Sequence, residues 1–331
     1  MQPFSRFDAF LLFFVLMLGW SAQALALAQA QAQQTLRVGT NLWPGYEPLY
    51  LAREIAKPGW GEAVRLVEYP SATEVLRAFR NRAIEAAGLT LDEVLLLKQD
   101  GLPLRVVLVM DISQGADVII ARQGIASMAG LRGKKVAVES GALGAYVLTR
   151  ALELHGLRLD EIESVHLDVS GHRQAFESGQ VDAVVTFEPV RTQLLNAGGA
   201  EIFSSREIPG EVVEVLVVHE AALQRQPEAV KQLLKGWFQA LQLLQHQPQQ
   251  AAELMGQRLK LSAAEVLDSL AGLHLPSREE NLKLLGGPTP DLAKSLNRLH
   301  RLMRERDLLG SEIKLQQLLS ADSLASDLVD N

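Results

Sequence analysis

Ala175-Phe176-Glu177-Ser178-Gly179-Gln180-Val181-Asp182-Ala183-Val184-Val185-Thr186-Phe187-Glu188-Pro189 contains one complete helix-to-strand unit. A helical end, Phe176-Glu177-Ser178, meets Gly179 where a left-handed stop is wanted. A β-branched run of strand character, 183–186, follows. It ends in a turn that carries an aromatic ring and a carboxylate, Phe187 and Glu188. Outward from this unit the alternation continues. From Thr35 to about Gly210, short β-branched runs alternate with helical ones, the pattern of a mainly parallel sheet with helices packed on it. Strands are predicted at 36–38, 64–69, 85–89, 105–110, 117–121, 135–138, 165–167, 183–186 and 212–218.

Two helix starts are marked by capping boxes, Ser71-Ala72-Thr73-Glu74 and Thr90-Leu91-Asp92-Glu93, in which a hydroxyl and a Glu serve each other's backbone amides. Gly156 fits a second helix stop. After Val218 the period becomes helical, over 227–244, 249–259, 263–270 and 292–309. The strands therefore occupy the first two thirds and a helical tail closes the chain.

The apolar run 10–20 is short for a membrane span and leads into small residues at 21–28. It reads as a secretory signal peptide, 1–28, followed by a flexible leader, 29–34; an uncleaved anchor is the alternative. The remainder, an exported protein expected in the periplasm, is long enough for two lobes. The sequence has 0 cysteines, which excludes disulfides, thiol catalysis and a lipid-modified N-terminus. With 32 basic and 39 acidic residues the net charge is -7, which argues against nucleic acid or an anionic membrane as partner.

Leu131-Arg132-Gly133-Lys134-Lys135-Val136-Ala137-Val138-Glu139 and the 175–189 stretch, with Tyr69-Pro70-Ser71 and 86–90 before them, fall in a familiar order. From about Thr35 to about Leu261 the chain resembles the periplasmic solute-binding proteins of the nitrate, sulfonate, taurine and thiamine-pyrimidine group of ABC importers. The resemblance implies a two-lobed clamp of the type II periplasmic binding fold, α/β in class. Each lobe would be a mainly parallel sheet flanked by helices, with a helical C-terminal tail. Residues 35–117 and 217–331 would build the first lobe and 118–216 the second, with crossings near 117–121 and 214–218. It further implies a monomer without cofactor that hands a small solute to a membrane permease. The alternatives are a ligand sensor signalling to a membrane histidine kinase or cyclase, and a pyrimidine-synthase-like enzyme. Against the enzyme stand the missing cysteine motif of those relatives and the lack of a recognisable nucleophile–base pair.

Independently of the resemblance, open α/β sheets place ligands at the carboxyl ends of their strands. The loop Asn41-Leu42-Trp43-Pro44-Gly45-Tyr46-Glu47-Pro48 stiffens two rings and a carboxylate there, so Trp43, Tyr46 and Glu47 are candidate ligand contacts. The alternative for Trp43 is a cover on the first helix. Thr90 is both helix cap and candidate contact, and Asp111 ends the next strand. In the second lobe Glu139, Ser140, Gly141 and Tyr146 lead from a strand into a helix, and Phe187 and Glu188 form the turn already quoted. Glu214, with Glu211 and Asp92 as further possibilities, completes the set; a solvated edge is the alternative for Glu211 and Glu214.

These loops supply many carboxylates and hardly any Lys or Arg. A dry cleft of that composition needs a positive partner or shared protons, which favours an ammonium, amidinium or aminopyrimidine solute. Nitrate or a sulfonate would want Arg, Lys or hydroxyls. His172 and Arg173 are the exceptions that could bring positive charge. His155, His166 and His172 lack metal-ligand spacing and read as surface or edge histidines. The basic helix 298–306 reads as a solvated face.

Overall fold

The computed structural model describes residues 35–56, 60–139, 142–310 and 312–325. The expected signal peptide and leader, and the candidates Ser140 and Gly141, lie outside the described residues. Strands β1 (Leu36–Thr40), β2 (Val64–Glu68), β3 (Ala86–Thr90) and β4 (Leu104–Ser113) enter one sheet. The chain then builds a second sheet from β5 (Val118–Ala121), β6 (Lys135–Val138), β7 (Glu163–His166), β8 (Ala183–Thr186) and β9 (Ala200–Ser204). It returns through β10 (Val213–His219) and a two-residue strand, β11 (Leu273–His274). The orders are β11-β4-β10-β3-β1-β2 and β7-β6-β8-β5-β9.

Both sheets are mixed rather than mainly parallel. β1 runs parallel to β2 and β3, and β6 to β7 and β8, as helical crossovers require. The strands that carry the chain between lobes run the other way: β10 is antiparallel to β3 and β4, and β5 to β8 and β9. A segment returning from the neighbouring lobe enters its sheet from the opposite end. The edge strands β9 and β11 have no clear β-branched pattern and were not among the predicted ones.

Helices α1 (Glu47–Ile55), α2 (Ala72–Arg80) and α3 (Leu91–Gln99) flank the first sheet, and α4 (Ala142–Leu154), α5 (Val169–Glu177) and α6 (Val190–Asn196) belong to the second lobe. The tail comprises α7 (Pro227–His246), α8 (Pro248–Leu259), α9 (Ala263–Ala271), α10 (Arg278–Leu285) and α11 (Leu292–Glu305). Ser71 caps α2, its hydroxyl accepting the Glu74 amide at 3.3 Å, and Gly156 and Gly179 take φ of 66° and 77° as the sequence requires. Among the described residues no helix is long and apolar enough to cross a membrane.

The tail does not form a separate domain. Leu292, Leu296, Leu299 and Met303 of α11 are buried in the same apolar core as β1, β3, β4 and β10. The face opposite is not simply solvated, contrary to the expectation for 298–306. Arg298 reaches Glu211 at 2.8 Å, and Arg306 pairs with Glu153 of α4. Tyr146 of α4 also packs into the first lobe's core.

The two crossings are tied to each other by hydroxyls. Ser113 and Ser205 meet oxygen to oxygen at 2.7 Å; the Gly115 amide donates to the Ser205 hydroxyl at 2.7 Å, and the Ser205 amide to the Asp117 carbonyl at 2.8 Å. Both serines are fully buried, so this small polar network is the part of the molecule about which the lobes are joined.

Candidate functional site

A cavity lies between the lobes at the carboxyl ends of β1, β3 and β8. Trp43 and Tyr46 bring the loop after β1 to it, Thr90 and Glu93 the β3–α3 junction, and Thr186 and Phe187 the end of β8. The lobes touch over it. The Trp43 and Phe187 rings meet edge to face, centroids 5.3 Å apart, and the Thr73 amide and hydroxyl approach the Glu139 carboxylate at 3.4 and 3.3 Å. Thr73 lies in the first turn of α2, where a carboxylate suits the positive end of the helix. The volume is ≈ 40 Å³, room for about three waters.

The aromatic wall is held by carboxylates behind it. The Trp43 indole N–H donates to Asp111 Oδ2 at 2.9 Å, and the Tyr46 hydroxyl donates to Glu214. Gly45 makes the first bond possible, because a Cβ there would overlap both the Asp111 carboxylate and the indole nitrogen. The Pro44-Gly45 step is therefore a matter of close approach. Trp43 and Tyr46 are each 2 % exposed, which makes them walls rather than a loose rim.

Of the sequence candidates, Trp43, Tyr46, Thr90, Glu139, Phe187 and Glu214 line the cavity. Asp111 stands behind Trp43. Three others are placed elsewhere. Glu47 lies 2.6 Å from Arg258, whose guanidinium covers the Tyr50 ring at 3.6 Å, and it lines a separate surface pocket with them. Glu188 is buried beside Arg191 at 3.1 Å and accepts the Thr192 amide and hydroxyl at 3.1 and 3.0 Å, capping its own helix. Tyr146 donates to Glu211 at 2.6 Å, and Glu211 also takes the Arg150 guanidinium at 2.8 Å.

Five polar lining residues stand outside the candidate set: Asn41, Glu93, Asp117, Thr186 and His172, the last considered only as a source of positive charge. Glu93 read only as the capping-box partner of Thr90, whose amide it does accept at 3.1 Å. Asp117 read as the start of a strand. His172, read as a surface or edge residue, is buried; its Nε2 donates to the Leu167 carbonyl at 3.1 Å, which leaves Nδ1 to accept the Thr186 hydroxyl at 3.3 Å. Burial lowers its pKa, so the ring is neutral and brings no positive charge. Arg173 pairs with Glu177 at 2.7 Å on the outside of α5.

The acids respond to this lack of cations. Burial is the leading cause in each case and pushes Asp92 up to about 6, Asp117 to about 7, and Glu93 and Asp111 to about 8. Asp92 beside Glu93, and Asp117 near Asp111, add repulsion. Glu214 is raised well above its ordinary value by burial and then by Asp111, and Glu139 is raised by burial. Among the described lining residues there is no Lys or Arg. The cavity is an acidic chamber with aromatic walls. Among the described residues no group of three or more His, Asp or Glu is placed to hold a metal ion.

The profile of the NMT1-like family matches residues 29–259. The chain belongs to the NMT1-like family. This family member is 27 % identical over 173 residues to a putative binding protein of Brucella abortus (strain 2308), a match that covers 50 % of the chain and 53 % of the relative. It thus spans about half the length of that curated relative. It is 22 % identical to a putative aliphatic sulfonates-binding protein of Escherichia coli (strain K12), covering 76 % of the chain and 79 % of the relative. The alkanesulfonate-binding protein from Xanthomonas axonopodis pv. citri bound to MOPS superposes with a TM-score of 0.70 at 20 % identity, covering 87 % of this chain and 97 % of that one. The NMT1-like chain has the periplasmic binding protein fold.

Proposed function

We propose that this NMT1-like protein is the periplasmic solute receptor of an ABC-type importer, closing its lobes on a small organic cation and presenting it to a membrane permease. An amine, an amidine or an aminopyrimidine fits better than a sulfonate or nitrate. The observation that carries the reading is the set Glu93, Asp117, Glu139 and Glu214 lining a cavity beside Trp43, Tyr46 and Phe187, with no lining Lys or Arg among the described residues. A cationic solute supplies the charge that buried carboxylates need and stacks on the rings; an anion would find no lining Lys or Arg among the described residues. The sulfonate-binding relatives support the receptor role, and the acidic lining argues for a different solute. A receptor that signals to a membrane sensor would use the same cavity, and co-purification with a permease or with a sensor separates the two.

A thermal-shift screen of the protein tests the ligand class. Amines, amidines and aminopyrimidines should raise the melting temperature, because a solute that binds only the folded form stabilises it. A shift with taurine, alkanesulfonates or nitrate alone would sink the cationic assignment.

A further inference from the structure

We propose that Glu93 and Asp117 are the two groups that grip the solute's N–H donors, and that Asp111, Glu139 and Glu214 are positioning carboxylates. This division of labour rests on the cationic-solute reading above. It follows from where each oxygen finds a donor. Asp111 receives the Trp43 indole, Glu214 the Tyr46 hydroxyl, and Glu139 the amide and hydroxyl of Thr73. Those three hold the walls and the mouth.

Glu93 and Asp117 differ. They are 2 % and 3 % exposed, both line the cavity, and each keeps one oxygen, Glu93 Oε1 and Asp117 Oδ2, without a hydrogen-bond partner. Asp92 Oδ2 and Asp111 Oδ1 are also unpartnered, but neither residue lines the cavity; the Thr90 hydroxyl, unpartnered and lining it, is a donor as well as an acceptor and carries no charge. A buried acceptor left unsatisfied is costly, and its persistence at a cavity wall points to a donor that arrives from outside. Two such acceptors suit one planar cation with paired N–H groups: an amidinium, a guanidinium or a protonated aminopyrimidine.

Both groups are fixed for the purpose. The other Glu93 oxygen is anchored by the Thr90 amide at 3.1 Å, in the first turn of α3. Asp117 lies in the first crossing, where its amide donates to the Ser113 hydroxyl at 3.3 Å and its carbonyl accepts the Ser205 amide at 2.8 Å. A solute held by Asp117 is therefore held at the joint between the lobes. That joins occupancy of the cavity to the segment about which closure turns.

The test compares Glu93→Gln, Asp117→Asn and Asp111→Asn in the full chain by calorimetry and by melting without ligand. The probes are acetamidine, methylguanidine and 4-aminopyrimidine, with taurine and methanesulfonate as the anionic arm. Glu93→Gln and Asp117→Asn should each weaken cation binding about 30-fold, the size of losing one charge-assisted hydrogen bond. Their ligand-free melting temperatures should stay level or rise, because each removes an unpaired buried acid. Asp111→Asn keeps an acceptor for Trp43 and, as a change to a positioning group, should weaken cation binding by less than either of those two substitutions. If a cation binds and neither substitution weakens it, the assignment of Glu93 and Asp117 falls while the cationic reading stands. If sulfonates alone bind, that reading falls and takes the assignment with it. Where no probe binds, the ligand-free melts decide: a clear fall in both variants marks these carboxylates as structural and overturns the proposal.

Discussion

Glu211 and Glu214 are three residues apart around the chain's return to the first lobe, both are buried, and they have opposite chemistry. Burial works to raise Glu211, yet Arg150 at 2.8 Å, the Tyr146 hydroxyl at 2.6 Å and Arg298 at 2.8 Å outweigh it and hold the carboxylate below its ordinary range. Glu214 meets Tyr46 and other acids, and is pushed far up. Glu47 and Glu188 each have an arginine beside them, at 2.6 and 3.1 Å, although burial still pushes Glu47 up to about 7, whereas Glu93 and Asp117 have no ion-pair partner among the described residues. On the proposed function, the carboxylates from which the protein withholds a cation are the ones left for a solute.

The strongest way to break this comparison is Glu211→Ala. It would leave Arg150, whose side chain is only 9 % exposed, with Glu153 as its one remaining partner among the described residues, and release Arg298 from its contact. Loss of one partner of a buried ion pair costs about 3–5 kcal/mol, so urea unfolding should show a drop of that order. A loss below about 1 kcal/mol would put Glu211 with the weak surface pairs instead.

The second prediction concerns pH. Asp111 and Glu93 ionise near 8 in the fold, against about 4 in an unfolded chain, so between those values the folded form binds more protons. Stability without ligand should therefore be fully present below about pH 4 on this account and fall as pH rises toward 8, by on the order of 2 kcal/mol for groups that share protons. Glu211, with its depressed value, contributes the opposite slope, present above the unfolded value and lost as pH falls through its folded one. Melting curves from pH 5 to 8 should thus decline, and a saturating cationic solute should flatten the decline. A flat curve without ligand would mean that the cavity acids have partners after all.

The smallest effect sharpens the comparison inside the cavity. Trp43→Phe keeps an aromatic wall but removes the donor from Asp111. It should cost about 1 kcal/mol at pH 8, and less at pH 5 where the acid is protonated. Equal losses at both values would show that Trp43 acts by packing alone.

Much of this was legible along the chain because it is local. The strands at 135–138 and 183–186, the cap at Ser71 and the glycine stops at Gly156 and Gly179 each depend on a few neighbouring residues. The loop 41–48 was readable as a rim at the strand ends because its position after β1 and its stiff Pro-Gly step are sequence properties, and two of its three candidates, Trp43 and Tyr46, line the cavity. Glu188 could have been removed from the candidates by the same means, since Arg191 follows it at helical spacing. Glu47 could not: its partner Arg258 is 211 residues away. Glu211 likewise depends on Arg150 and Arg298, 61 and 87 residues distant. Glu93 and Asp117 carried no signal of their own, one taken for a cap and the other for a strand start.

The sequence by itself thus determined the alternation of strands and helices, the helical tail and the excess of acids at strand ends, because periodicity, caps and composition act over short range. Only the tertiary structure decided the mixed pairing of the sheets and the choice of which acids meet an arginine. Those outcomes rest on which distant segments fold against each other. A carboxylate's charge state follows from the donors and cations that folding brings to it, not from its neighbours in the chain.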